Sequence, residues 1–263
     1  MIECIHGLDI ELCDICTPRK RDEAQELPAP ARRSPVSTAR AVRAPSTLRT
    51  PKVKAPSDPA LPDVDLAAMR VHHWTHLTNL PAIIADGALR AVAEPELDVL
   101  SPEARTRRSE VTVPSGASVS AHVPFALTPD AASWDAVRHG AAGAEWSAAA
   151  RATRATDFVV LVAPVKSVGD GFVFADGDAA APLTRFAEGL EEGAKLARRA
   201  SLADPELAQA EFLIPDAFDL AGVTLIGVPN DRARDEVKAL LREYSGKAPR
   251  VAVYPPWFKP SDE

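Results

Sequence analysis

Val71-His72-His73-Trp74-Thr75-His76-Leu77-Thr78-Asn79-Leu80-Pro81-Ala82-Ile83-Ile84 is the stretch on which the reading of this chain turns. Val71 to His76 reads as a strand whose two-residue alternation is blurred by histidines. Leu80 to Leu89 then reads as a short helix. Thr78 or Asn79 can cap it, Pro81 suits a first turn where the missing N–H is not needed, and Gly87 ends it. On the strand, His73 and Thr75 are two residues apart and so face the same side.

Working outward, His122 to Leu127 reads as a strand, and Thr128-Pro129-Asp130 starts a helix over Ala131–His139. Phe158 to Ala163 is an unbroken apolar run, the mark of a strand buried on both faces. Pro182 to Ala200 reads as a helix, with Leu183, Phe186, Leu190 and Leu196 near helical spacing. Glu211–Ile214, Val223–Val228 and Arg250–Tyr254 are further strands, and Asp231–Tyr244 is an amphipathic helix between the last two. Residues 90–122 are polar. They hold an arginine cluster (Arg105, Arg107, Arg108) and Pro114-Ser115-Gly116, which suits a loop containing a short helix. Strands and helices mixed without regular alternation predict an α+β fold, a mixed sheet with flanking helices.

The 263 residues are 46% hydrophobic and 25% charged, within the range of globular proteins. No apolar run reaches the ~18 residues of a membrane span. The first residues lack the basic and apolar regions of a secretory signal, which predicts a cytoplasmic protein. The net charge of −7 hides an asymmetry. Residues 17–56 carry ten Lys or Arg against three acids, while residues 57–263 sum to about −10. Nine of the 24 prolines lie between Pro18 and Pro62. Residues 17–62 therefore read as a disordered basic linker, too poor in apolar side chains to offset its ordering entropy, which serves either as a spacer alone or for non-specific attraction to nucleic acid. Ahead of it, Cys4-x-His6 and Cys13-x-x-Cys16 present four ligands of the type that hold tetrahedral zinc. Sixteen residues build no core, so a metal would supply the folding energy of this knuckle. The predicted organisation is a zinc knuckle over 1–16, a linker over 17–62 and a main domain over 63–263.

Neither a Gly-x-Gly-x-x-Gly nor a Gly-Lys-Ser/Thr loop is present, and there is no Gly-x-Ser-x-Gly elbow. With every cysteine before residue 17, the main domain holds no cysteine nucleophile. What remains is the His73-x-Thr75 pair, the arginine cluster, and Glu211 opening a late strand.

Five segments, in order, resemble the DarT family of DNA ADP-ribosyltransferases over residues 71–258. They are His73-Trp74-Thr75-His76-Leu77-Thr78-Asn79 with the helix after it, Val123-Pro124-Phe125, Phe172–Asp176 with Thr184-Arg185-Phe186, Gln209-Ala210-Glu211-Phe212-Leu213-Ile214, and Pro249–Val253 with Trp257-Phe258. After Val-Pro-Phe the chain departs from the family, with Ala126 to Trp134 in place of an Arg-Ser-Pro-Met-like stretch that helps shape the pocket. The resemblance implies an ADP-ribosyltransferase fold and an NAD-dependent enzyme modifying a base in single-stranded DNA. It also implies a toxin or phage-defence role and a macrodomain antitoxin. Glu211 falls on the family's catalytic glutamate, and His73, Trp74, Thr75, Ala82 and Arg90 fall on positions that approach NAD. The family's loop arginine corresponds to Arg105, Arg107 or Arg108. Arg105 fits the spacing best, as a catalytic and NAD-contacting residue acting through charge, since a guanidinium almost never deprotonates. Two other readings compete: transfer to RNA, protein or water on the same fold, and an inactive zinc-knuckle protein that binds nucleic acid.

Overall fold

Phe158-Val159-Val160-Leu161-Val162-Ala163 is buried at every position, as expected of a strand covered on both faces. In the computed structural model, which describes residues 62–169 and 171–261, it runs through the middle of a large sheet. The strands are β1 (Arg70–His76), β2 (Ala88–Arg90), β3 (His122–Ala126), β4 (Phe158–Pro164), β5 (Val173–Ala175), β6 (Phe186–Glu188), β7 (Glu211–Pro215), β8 (Ala217–Asp219), β9 (Leu225–Val228) and β10 (Arg250–Val253). Eight form one sheet in the order β10-β9-β4-β1-β3-β7-β5-β6, and β2 pairs with β8 beside it. Only β9 and β10 of this sheet run parallel, because the helix α6 (Asp231–Leu240) carries the chain back between them. The expected α+β class and mixed sheet are present.

Two apolar layers cover the sheet. On one face, Val71, Val159, Leu161, Phe125 and Phe212 pack with Leu80 and Ile84 of α1 (Leu80–Asp86), Leu196 of α5 (Gly189–Ala200) and Val237 of α6. On the other, Phe158, Val160 and Val162 pack with Trp134 of α3 (Ala132–Arg138) and Ala150 of α4 (Ala148–Ala152). Trp134 is fully buried; its ring stacks on Trp74 and its indole N–H donates to the Trp257 carbonyl at 2.7 Å. The stretch that departs from the family pattern therefore ends in a core anchor.

The predicted helix over 182–200 is shorter than its apolar spacing suggested. Phe186 to Glu188 form β6, Gly189 takes a left-handed φ of +71°, and α5 begins there. Leu183 is 91% exposed in the loop before β6, so its match to helical spacing is coincidental. Gly87 ends α1 in the left-handed conformation as expected. Asn79 stands at the N-cap, but its side chain makes no capping bond and is used elsewhere.

The sheet is split where it matters. β1 and β3 are neighbours, yet their only register pair is His72 with Ala126, and beyond it the strands diverge. The split explains a proline in a central strand, since N–H and C=O of one strand residue point to the same side. Pro124 turns its carbonyl, and hence its missing N–H, toward the split, where His73 Nδ1–H donates to that carbonyl at 2.8 Å. β3 keeps its full pairing with β7 on the other side.

His72 lies on the opposite face, edge-on to Trp257, with a buried Nδ1 that has no partner among the described residues. Burial lowers its pKa from 6.5 to about 4. The unfolded chain therefore takes up the proton first as pH falls, so stability is lost between pH 6.5 and about 4 and levels off below. The loss from this one group is about 3 kcal/mol. Denaturant titrations of wild type and His72→Leu at pH 7, 5.5 and 4.5 should show the wild type losing most of that, about 2 kcal/mol, more than the variant. Parallel curves would remove the assignment.

Candidate functional site

α2 (Pro102–Glu110) starts cleanly because Ser101 caps it, its hydroxyl accepting from Ala104 N–H at 3.2 Å, with Pro102 in the first turn. Of its residues only Ala104 is buried. One turn on, Arg108 shares Ala104's inward face, with only 14% of its side chain exposed. Arg105 and Arg107 are exposed.

Arg108 meets Glu211, the first residue of β7. Nη1 donates to Oε1 at 3.1 Å and Nη2 to Oε2 at 2.7 Å, a two-pronged pair. The Ala179 N–H also donates to Glu211 Oε1, at 3.3 Å. Asp178, in the loop between β5 and β6, places Oδ1 at 3.5 Å from Arg108 Nη1. Burial pulls the Arg108 pKa down, but Glu211 and Asp178 more than offset this and hold it above the ordinary guanidinium value.

Two cavities adjoin here; Arg108 lines both, and Glu211 lines the smaller. The larger, about 300 Å³, is lined by His73, Trp74, Thr75, Ala82, Arg90 and Arg105, every residue that the sequence assigned to NAD. The smaller, about 180 Å³, is lined by Glu211, Gln209, Asp178, Phe125, Ser133 and Trp146. His73, Trp74, Pro124 and Arg108 belong to both walls. Because its Nδ1 donates to Pro124, a neutral His73 keeps Nε2 as an acceptor. Burial also lowers the pKa of this ring, which favours the neutral form.

The sequence left the choice among three arginines open and favoured Arg105. Arg108 is the one at Glu211, while Arg105 pairs with Asp98 on the wall of the larger cavity. Arg90 pairs with Asp86 on the same wall. The wall has a brace the sequence reading missed. The Asn79 side chain donates to the Thr75 hydroxyl at 3.2 Å and to the Leu97 carbonyl at 2.9 Å, and accepts from Leu97 N–H at 2.8 Å. It ties the 91–100 segment to the end of β1. Among the described residues no group of three or more His, Cys, Asp or Glu could hold a metal, and the predicted ligands Cys4, His6, Cys13 and Cys16 lie outside the described residues, as does the 17–61 part of the linker. No described helix is long and apolar enough to cross a membrane.

Residues 72–259 match the family described as ssDNA thymidine ADP-ribosyltransferase, DarT. The chain belongs to this family. A DNA ADP-ribosyl transferase of Thermus sp. (strain 2.9) is 30% identical, over 72% of this chain and 95% of its own. Solved structures of Thermus sp. 2.9 DarT share the fold at 27% identity. The complex with ADP-ribosylated ssDNA superposes with a TM-score of 0.60, covering 73% of this chain and 96% of that one. The complex with NAD+ gives 0.59, covering 73% and 98%.

Proposed function

We propose that this protein transfers ADP-ribose from NAD to thymidine in single-stranded DNA, with Glu211 and Arg108 at the junction of two substrate cavities. The observation that carries the reading is a carboxylate–guanidinium pair whose Arg108 lines both a cavity walled by His73 and Thr75 and a second, partly apolar one that Glu211 also lines. NAD fits the larger cavity by chemistry: His73 Nε2 and Thr75 supply hydrogen bonds for a ribose or amide, and Arg105 and Arg90 supply charge for the phosphates. Trp74, Phe125 and Trp146 give the smaller cavity flat apolar surfaces against which a base can lie.

As the bond between nicotinamide and ribose breaks, positive charge builds at the anomeric carbon. A carboxylate fixed beside it stabilises that charge without reorganising, and can accept from a ribose hydroxyl. Glu211 fits this task because Arg108 and the Ala179 N–H already fix its orientation. Arg108 acts as a fixed positive charge that orients Glu211. Asn79→Ala should release the 91–100 segment and raise KM for NAD about tenfold, with a smaller effect on kcat. Unchanged KM would show that this brace does not serve the NAD wall.

We also propose that Cys4, His6, Cys13 and Cys16 hold a structural zinc, which their spacing supports. The family resemblance is what supports a toxin role and a macrodomain partner. Labelled NAD incubated with separate DNA, RNA and protein pools tests the acceptor. Label on single-stranded DNA supports the reading, and label only on RNA or protein overturns it.

A further inference from the structure

We propose that Asp178 is the base that takes the proton from the acceptor thymine. This rests on the reading that thymine enters the smaller cavity beside Glu211. In a thymidine the deoxyribose occupies N1, so N3 carries the ring's one remaining N–H. Joining the ADP-ribosyl carbon to that nitrogen obliges some group to receive a proton.

Of the groups around the junction, His73 is taken up by NAD in this reading, through its Nε2. Arg108 is already protonated, and its two acidic neighbours keep it so. Glu211 is engaged by both Arg108 nitrogens and by the Ala179 N–H. Asp178 lines the smaller cavity, with its side chain 61% exposed. Its Oδ1 accepts from Ala180 N–H at 2.9 Å and lies 3.5 Å from Arg108, and no hydrogen bond among the described residues engages Oδ2. The loop is held in register with Glu211. The Thr184 hydroxyl donates to the Asp178 carbonyl at 2.6 Å, and Arg185 pairs with Asp176 at 2.7 Å. Asp178 thus places a carboxyl oxygen that these contacts leave unengaged in the wall of the space the base would fill, on a loop tied down by Thr184 and Arg185.

The step balances. The bond from C1 of the NAD ribose to nicotinamide breaks, and its electron pair leaves with neutral nicotinamide. The N3–H bond of thymine breaks, its proton passes to Asp178 Oδ2, and the N3 electron pair forms the new bond to C1. Asp178, largely exposed, returns the proton to water.

Asp178→Asn keeps the shape and removes the basicity. Transfer to a thymidine-containing single strand should fall about 10²-fold, the usual contribution of a positioned base, and at least ten times more than NAD hydrolysis falls. A deoxyuridine acceptor and its 5-fluoro derivative, whose N3–H is the more acidic, give a readout that a positioning role would not move. The fluoro-to-parent rate ratio should rise about tenfold in the variant over wild type. An unchanged ratio, equal losses of transfer and hydrolysis, or no loss of transfer in Asp178→Asn would overturn the proposal. If wild type itself modifies no thymidine, the acceptor reading has failed rather than this one.

Discussion

Glu211→Gln should lower ADP-ribosyl transfer by about 10² to 10³-fold while the protein remains folded. The size is that of losing one preorganised electrostatic group next to developing charge. The amide oxygen of Gln still accepts from Arg108, so the cost in stability is confined to about 1–3 kcal/mol. Glu211→Ala should be as inactive and less stable, because it leaves the guanidinium, 14% exposed, with only the more distant Asp178. Transfer rates with NAD in excess, paired with thermal melts, check both. A loss of only two- or threefold in either variant would remove Glu211 from the chemistry.

Arg108 should be nearly as intolerant. Arg108→Lys cannot reproduce the two-pronged pair at 3.1 and 2.7 Å, so it should still lose about 10²-fold in transfer, and Arg108→Ala more. The neighbours separate position from charge. Arg107→Ala, on the exposed side of α2, should change little, and Arg105→Ala should act chiefly through KM for NAD, since Arg105 lines only the larger cavity. Steady-state kinetics on the four variants decide the matter. Equal losses at Arg105 and Arg108 would mean that the pairing with Glu211 is not what sets the arginine's role.

Much of the sheet was legible because its central strands carry their signal in local pattern. β4 is an unbroken apolar run, and Gly87 and Pro81 bracket α1. The three-residue strands β2, β5, β6 and β8 were not, since so short an element holds less than two periods of alternation. The helix expected over 182–200 begins only at Gly189 for a related reason. Leu183 matched a period by chance, and only tertiary context shows that Leu196 is buried while Leu183 is not.

In the site, Glu211 and the His73-x-Thr75 pair could be named from the sequence because each sits on a strand with a recognisable neighbourhood. Which arginine meets Glu211 could not be chosen by spacing alone. A usable signal was present: in a nine-residue helix of otherwise polar residues, Ala104 marks the inner face and Arg108 is one turn further on. Asn79 was misread as a cap because Asn at a helix start usually is one. Its partners are Thr75, four residues back, and Leu97, which at 18 residues away lies beyond any local pattern. The role of Pro124 was likewise hidden, since it depends on the split between β1 and β3.

The most direct test uses two single-stranded oligonucleotides identical except for one thymidine, incubated with NAD and either wild type or Glu211→Gln, and weighed intact by mass spectrometry. The account predicts that wild type adds a single ADP-ribosyl unit to the strand with thymidine and nothing to the other, and that Glu211→Gln adds almost none to either. An adduct on the strand without thymidine, or full modification by Glu211→Gln, would contradict it.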